Sequence, residues 1–393
     1  NPAVFFPTAF LSLCVVLYSI ISPQGSAAFF AGLRIGAVTH FDWLFMSAGN
    51  LILLFCVAIA LSPLGKIRLG GAGATPDYSR LSWFSMLFGA GMGIGLIFYG
   101  VGEPVSHFMA AMAGGSAAPL GGAVGNADAS RTLAMAATIY NWSLHPWAIF
   151  ALVGLGLAVF AYDFNMPLSI RSTFYPLMGK SVWGRAGDAI EILAVLATVF
   201  GLATSLGLGA KQAMAGASLL YHIPETAGSI IALILVMGGV TFLSVRGGID
   251  RGIRILSELN LWVAFGLLLF VLVTGGAVSL MTDVATNIGA YLRALPALSA
   301  ATDRADASFF HDWTVYYWAW WVSWAPFVGS FMARISLGRT VREFIAGYDR
   351  PAPAAKASKP AVRSGLKAVA TRPARRVFHH LARQWRPAWS LPR

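Results

Sequence analysis

Aromatic side chains are concentrated in two short stretches of this sequence. Residues 312–329 read DWTVYYWAWWVSWAPFVG and contain five tryptophans and two tyrosines, and residues 140–150 read YNWSLHPWAIF. The face of an aromatic ring attracts an organic cation by about 0.5 to 2 kcal/mol. A quaternary ammonium group cannot donate hydrogen bonds, so a box of three or four rings is the natural way to bind it. The two stretches therefore predict a quaternary ammonium site.

Helical spacing determines which rings of residues 140–150 can face the same way. Trp147 and Phe150 are three residues apart and share a helix face. Trp142 would lie about 140° away from Trp147 on a regular helix. Pro146 lies between the two tryptophans, and proline distorts a helix. We therefore expect a distorted helix in which Trp142 joins the other two rings.

Residues 312–329 place three tryptophans on one side of a helix. Trp324 shares a face with Trp321 and with Trp320, three and four residues earlier. For any single tryptophan, core packing or anchoring at the membrane interface is the alternative explanation. A whole cluster is harder to explain in that way, because a helix has few interfacial positions.

A glycine-rich stretch is the second unusual feature. Residues 89–104 read GAGMGIGLIFYGVGEP, with six glycines. Glycine weakens a helix, so these residues either allow close helix packing or unwind the helix and free backbone groups to bind an ion or a substrate. The glycine density and the nearby acid Glu103 favour unwinding, although Glu103 could lie at the water interface near the helix end. The pairs suited to packing are Gly89/Gly93 and Gly91/Gly95.

The composition defines the class of protein that must position these residues. Of 393 residues, 57% are hydrophobic and only 11% are charged, whereas soluble domains carry about 25% charged residues. We therefore predict an all-α polytopic membrane protein. No metal-ligand spacing and no nucleophile–base pattern are visible, so the sequence does not predict an enzyme or a resident cofactor.

Eight segments are apolar and long enough to cross about 30 Å of hydrocarbon as helices. Connections after the even-numbered segments contain twelve lysines and arginines, and those after the odd-numbered segments contain five. The positive-inside rule then places the even connections and both chain ends in the cytoplasm. The predicted segments are 4–22, 41–62, 81–102, 133–160, 189–210, 227–245, 255–276 and 313–333.

The last part of the chain differs from the rest. Residues 348–393 hold eleven of the 28 lysines and arginines but only one of the 16 acids. We therefore divide the chain into a transmembrane region, 1–347, and a basic tail expected to be disordered. The tail could dock on anionic lipid; we predict no nucleic-acid partner. Out-of-frame translation of GC-rich DNA is another explanation for its composition.

Five stretches closely resemble the betaine/carnitine/choline transporter family, in the right order and as far as about Ile345. They are GMGIGLIFYGVGEPVSHF (91–108), WSLHPWAIFALVGLGLA (142–158), TVFGLATSLGLGAKQ (198–212), RGGIDRGIRILSELN (246–260) and DWTVYYWAWWVSWAPFVGSFMARISLGRTVREFI (312–345).

The resemblance implies a fold and a setting. Family members have twelve transmembrane helices, and the last ten form two inverted five-helix repeats of the LeuT-like type. They are usually homotrimers in the plasma membrane, here the bacterial inner membrane, and carry trimethylammonium compounds, often with sodium. We expect this chain to have a LeuT-like inverted-repeat fold that is incomplete, with about eight of the twelve helices.

The resemblance also implies roles for individual residues. The family often has tyrosine at the position of Phe150, so a hydroxyl group is absent here. Some choline carriers have aspartate at the position of Gly95, so Gly95 favours betaine-like zwitterions, with glycine betaine before choline or carnitine, and sodium coupling. The residues that match the family's substrate site are Trp142, Trp147, Phe150, Trp320, Trp321, Trp324, Gly91, Gly93 and Gly95. Those that match sodium sites are Gly89 and Met92, through their backbone carbonyls, and Phe327.

One departure limits these expectations. Where the family continues with four more helices, this chain has its basic tail. We therefore predict a secondary active transporter of quaternary ammonium compounds, sodium-coupled in its intact form, of which this chain is a truncated form that does not transport alone. The alternative is a non-transporting binding or scaffold remnant in the membrane, with a tail that docks on lipid.

Overall fold

The computed structural model describes residues 1–91 and 94–347, and this part of the chain is helical. The β-structure in it is a single antiparallel bridge between Arg68 and Thr340. The expected all-α architecture is therefore confirmed.

Sixteen α-helices occur in the described residues. Three π-helical turns, at Val159–Asp163, Ile249–Ile253 and Phe310–Val315, adjoin α7, α12 and α15. The helices are α1 Pro2–Ile21, α2 Pro23–His40, α3 Asp42–Leu61, α4 Arg80–Gly91, α5 Ile94–Ala113, α6 Ala127–Trp142, α7 Leu144–Ala158, α8 Ile170–Thr173, α9 Tyr175–Met178, α10 Arg185–Tyr221, α11 Ala227–Arg246, α12 Arg254–Gly275, α13 Ala277–Leu298, α14 Ala307–Phe309, α15 Tyr316–Ile335 and α16 Val341–Ala346.

Six helical stretches in the described part of the chain are long and apolar enough to cross a membrane. The predicted segment 313–333 forms α15 but is not among the six, because its tryptophans and tyrosines are less hydropathic than leucine or valine. The predicted segment 81–102 falls on α4 and α5, whose intervening residues are not described. The six are Pro2–Ile21, Asp42–Leu61, Ala127–Asp163, Arg185–Tyr221, Ala227–Arg246 and Arg254–Gly275.

Two regions predicted to be connections are helical instead. Residues 23–40 form α2, which the sequence analysis missed because alanine, glycine and Arg34 keep its hydropathy low. The connection between the predicted segments 255–276 and 313–333 begins with α13, a 22-residue amphipathic helix. It buries Tyr291 and Leu298 and leaves Asp283 partly exposed, paired with Arg131. Polar residues on one face of a helix were thus mistaken for a loop.

The expected distortion between the two tryptophans of residues 140–150 is confirmed. α6 ends at Trp142, and Ser143 has non-helical angles, φ −99° and ψ −110°, before α7 begins. Pro146 explains the position of the break, because a proline ring clashes with the carbonyl four residues earlier, which is that of Trp142.

The core is built around α15, which packs against α7. Glycines on both helices allow this approach. A Cβ on Gly154 would lie 3.1 Å from the Gly329 carbonyl oxygen, and one on Gly329 would lie 2.9 Å from the Gly154 nitrogen. This crossing brings the two aromatic stretches face to face.

Candidate functional site: an aromatic cluster

Eight rings from α5, α6, α7 and α15 form one connected aromatic cluster. Each ring lies within 6.5 Å of another, centroid to centroid. The cluster contains all six predicted aromatic residues and two tyrosines. Its members are Tyr99, Trp142, Trp147, Phe150, Tyr317, Trp320, Trp321 and Trp324.

The rings of α15 form a stack along the helix. Trp320 and Trp321 are 5.0 Å apart with nearly parallel planes, at 10°. Tyr317 stacks on Trp321 at 5.6 Å and 9°, and Trp324 lies 6.3 Å from Trp320 at 25°. Three of these four residues are those predicted from helical spacing; Tyr317 is the addition.

The rings of α6 and α7 meet this stack edge to face. Trp142 lies 5.1 Å from Trp321 at 71°, and Phe150 lies 6.0 Å from the same ring at 85°. Phe150 also contacts Trp324 at 6.4 Å and Trp147 at 6.2 Å. Trp321 therefore joins the two sides of the break at Ser143, as the distorted helix was predicted to allow.

Part of the cluster remains accessible. Trp142, Trp147 and Tyr99 are only partly buried, whereas Phe150 and Trp321 are almost fully buried. Tyr99, which sequence reasoning did not select, contacts Trp142 at 6.1 Å and Trp320 at 6.2 Å. Its position in the glycine-rich stretch was the one available signal.

The glycine-rich stretch lies beside the cluster. A Cβ on Gly91 would collide with the ring of Trp147, so this glycine provides the surface on which the tryptophan rests. A Cβ on Gly89 would lie 3.2 Å from Ser257 Oγ, which places Gly89 at the contact between α4 and α12. Gly95 lies in the first turn of α5. Met92 and Gly93 lie outside the described residues, so unwinding of this helix stays a prediction.

Phe327, the third residue assigned to sodium, lies apart from the aromatic cluster. Its side chain is 36% exposed and does not belong to the core cluster of the described residues. Its assignment stays an expectation from the resemblance. Among the described residues, no group of three or more histidine, cysteine or acidic side chains could hold a metal ion.

Glu103 is the main polar feature of the site, and its predicted position near the end of the helix is wrong. α5 continues ten residues beyond it to Ala113, and the Glu103 side chain is completely buried. Its Oε2 accepts hydrogen bonds from Trp142 Nε1 and Tyr317 OH, each at 2.6 Å. Its Oε1 accepts one from Asn141 Nδ2 at 2.8 Å and lies 3.1 Å from His107 Nε2.

Two indole groups of the cluster are buried donors with no acceptor. The Nε1 atoms of Trp320 and Trp324 find no hydrogen-bond partner within the described part of the chain. A buried N–H without a partner costs free energy. Both N–H groups therefore remain unpaired donors among the rings.

A cluster of rings with buried, unpaired N–H donors is a candidate binding site for a small solute that is both cationic and polar. Residues 3–355 match the model of the BCCT family, described as betaine/carnitine/choline family transporter. The chain belongs to this family. The family and the relatives it matches are membrane transporters, not enzymes.

Curated relatives agree with the family. The chain is 49% identical over 348 residues to a glycine betaine/proline/choline transporter of Vibrio parahaemolyticus, covering 86% of this chain and 63% of the relative. It is 48% identical over 345 residues to glycine betaine transporter 1 of the same species, covering 88% and 65%. It is 40% identical over 350 residues to the high-affinity choline transport protein of Escherichia coli K12, covering 88% and 50%. The chain thus spans one half to two thirds of these relatives.

Proposed function

We propose that this chain carries the substrate site of a secondary active transporter for quaternary ammonium compounds, with glycine betaine as the first candidate and choline or carnitine as alternatives. The observation that carries the proposal is the aromatic cluster, which presents ring faces in a partly accessible, largely apolar setting. The names of the relatives, which include glycine betaine and choline, support the same substrate class.

The described arginines that contact aromatic rings lie over rings other than the eight of the cluster. The cation–π contacts found in the described residues join Arg34 to Tyr316, Arg304 to Phe310 and Arg339 to Trp83. None of these three rings is among the eight of the cluster, and Tyr316 adjoins it at 6.5 Å from Trp320. Within residues 1–91 and 94–347, no arginine therefore lies over the eight rings, which supports a trimethylammonium group as their cation.

The unpartnered indole donors favour a zwitterion over a simple cation. Trp320 Nε1 and Trp324 Nε1 need acceptors, and the carboxylate of glycine betaine supplies two oxygen atoms. Choline offers only a hydroxyl group. The combination of ring faces and unpartnered N–H groups therefore supports glycine betaine as the preferred substrate.

Sodium coupling, homotrimeric assembly and a bacterial inner-membrane location with both chain ends cytoplasmic belong to the same proposal. The resemblance supports sodium coupling through Gly89, Met92 and Phe327. The distribution of basic residues along the sequence supports the orientation.

Binding of radiolabelled glycine betaine to the purified chain in lipid nanodiscs tests the proposal. The Trp321→Leu substitution removes the ring that joins both sides of the cluster, and we expect it to weaken binding about tenfold, within the range that one ring contributes. Trp262→Leu is the matched control, because Trp262 lies on α12, is exposed and is outside the cluster.

Two outcomes would contradict parts of the proposal. Unchanged binding in Trp321→Leu would show that the aromatic cluster is not the substrate site. In proteoliposomes, uptake that is equal with inward sodium and inward potassium gradients would contradict sodium coupling. Uptake by this chain alone would contradict the prediction that it does not transport by itself. Binding without uptake is the result expected both for a truncated transporter and for a membrane-bound binding protein.

A further inference from the structure

Glu103 holds a full set of hydrogen-bond donors at the base of the aromatic cluster. A carboxylate offers about four lone-pair sites, and four donor groups surround this one: the side chains of His107, Asn141, Trp142 and Tyr317. Because both oxygens are occupied by protein groups, Glu103 has little capacity left to contact a substrate. Glu103 therefore interacts with the aromatic side chains Trp142 and Tyr317.

No lysine or arginine in the described ranges forms an ion pair with Glu103. Its one ion-pair partner there is His107, which is itself buried. A buried charge needs hydrogen bonds to replace its lost hydration. The carboxylate is therefore stabilised by hydrogen bonds from the indole, phenol and amide groups. The same hydrogen bonds fix the positions of these three groups.

Both rings that Glu103 holds lie where a helix is irregular. Trp142 is the last residue of α6, directly before the non-helical Ser143. Tyr317 is the second residue of α15 and follows the π-helical turn Phe310–Val315. Each ring thus adjoins an interruption of regular helix, and the carboxylate on α5 joins the two rings across it.

The same network reaches a third ring. Asn141 donates to Glu103 through its side chain and accepts a hydrogen bond from Trp321 Nε1 through its backbone carbonyl, at 3.2 Å. Trp142 and Tyr317 both contact Trp321, at 5.1 and 5.6 Å. One carboxylate on α5 thus orients rings on α6 and α15 together.

We propose that Glu103 is the positioning residue of the quaternary ammonium site: it fixes Trp142 and Tyr317 directly, and Trp321 through Asn141, in the arrangement that binds the substrate. This inference rests on the proposed function for its effect on binding, but the hydrogen bonds themselves can be tested without a ligand.

The Glu103→Gln substitution is the central test, in the full chain in lipid nanodiscs. A glutamine has one acceptor oxygen, so one pair of donors loses its partner. Since hydrogen bonds to a charged group are stronger than those between neutral groups, we expect glycine betaine affinity to fall about tenfold or more. Asp283→Asn is the matched control, because it removes one negative charge from a partly exposed side chain outside the cluster.

A double-mutant cycle with Tyr317→Phe distinguishes positioning from a general loss of structure. Tyr317→Phe keeps the ring and removes only the hydroxyl group that donates to Glu103. If Glu103 acts through this group, Glu103→Gln has a smaller effect on betaine affinity in the Tyr317→Phe background than in the wild type. Equal effects in both backgrounds would overturn the proposal, as would unchanged affinity in Glu103→Gln. If Glu103→Gln does not fold, Tyr317→Phe alone must still weaken binding, and unchanged affinity there overturns the proposal.

A spectroscopic measurement separates failure of this inference from failure of the proposed function. Ultraviolet resonance Raman spectra report the hydrogen bonding of indole N–H groups, and the difference between wild type and Trp142→Phe isolates Trp142. We expect a strongly hydrogen-bonded indole that becomes weakly bonded in the Glu103→Gln background. An indole signal that does not change overturns the positioning role. If wild-type protein binds neither glycine betaine nor choline, the proposed function fails, while the Raman result still decides the role of Glu103.

Discussion

Helices α15 and α12 have nearly equal lengths, 20 and 22 residues, but opposite positions in the molecule. More than half of the α15 residues are buried, including four of its tryptophans, whereas no residue of α12 is buried in the described structure. α15 combines large rings with alanine and glycine, and α12 is rich in leucine, valine and phenylalanine. The combination of large and small side chains therefore distinguishes the buried α15 from α12 better than the fraction of apolar residues does.

The same contrast holds for two ion pairs with identical spacing. Arg339 and Glu343, just after α15, are four residues apart, buried, and joined at 2.6 Å. Arg254 and Glu258, at the start of α12, have the same spacing but are partly exposed and 3.9 Å apart. Arg339 also donates to the Tyr78 carbonyl and lies over the Trp83 ring. The inner pair is buried within a network, while the outer pair is partly exposed and its acid accepts one further hydrogen bond, from Ser82.

We expect the largest effect from removing the inner arginine. Arg339→Met should lower the free energy of unfolding by about 3 kcal/mol, because it leaves the buried Glu343 without its main partner. Arg254→Met should change it by about 0 to 1 kcal/mol, as exposed pairs do. Equilibrium unfolding in mixed micelles measures both. Similar losses in the two variants would contradict the distinction between the inner and outer pairs.

The second effect concerns the glycines of the two helices. Gly329→Leu should destabilise the protein by about 3 kcal/mol, since its side chain would meet the backbone of α7 at Gly154. Gly266→Leu on α12 should have no cost, because a side chain there meets no other group within 4 Å. Thermal unfolding compares the two. A Gly329→Leu variant as stable as the wild type would show that α7 and α15 are not closely packed.

A smaller effect tests what the buried rings of α15 do beyond packing. Trp324→Phe keeps a ring but removes the unpartnered Nε1 donor. We expect about a tenfold loss of glycine betaine affinity and little change for choline, because only the carboxylate loses a charged hydrogen bond. Competition binding with the two solutes measures the ratio, and Trp262→Phe is the control. An equal loss for both solutes would refute a role in recognising the carboxylate.

The smallest effect should come from the outer helix. Leu268 on α12 is exposed, so Leu268→Ala should alter the free energy of unfolding by less than about 0.5 kcal/mol. A loss of 2 kcal/mol or more, measured as for the arginine variants, would show that α12 packs against protein in the membrane and would weaken the contrast with α15.

The aromatic part of the site could be predicted because it depends on local spacing. Trp320, Trp321 and Trp324 are brought together by one helix, and Pro146 identified the distortion that brings Trp142 to them. Such features need only the period of a helix and the geometry of proline, and the structure confirms them.

The polar part could not be predicted in the same way. The partners of Glu103 come from α5, α6 and α15, so its environment depends on how three helices pack, which no local pattern encodes. Helix α13 was missed for a different reason: its apolar face is visible only when the helical period is applied across charged residues such as Asp283. Tertiary contacts decide the environment of Glu103, whereas α13 follows from a local period.

The contact between Trp147 and Gly91 has a thermodynamic consequence. Because the ring rests on the glycine backbone, neither the glycine-rich stretch nor the aromatic cluster can rearrange there without affecting the other. If an ion bound to that stretch raises the affinity for the organic solute by some factor, linkage requires the solute to raise the affinity for the ion by the same factor. Titrating the ion in the presence of the solute and titrating the solute in the presence of the ion must then give the same factor. A difference between the two measured factors would mean that a further equilibrium is involved.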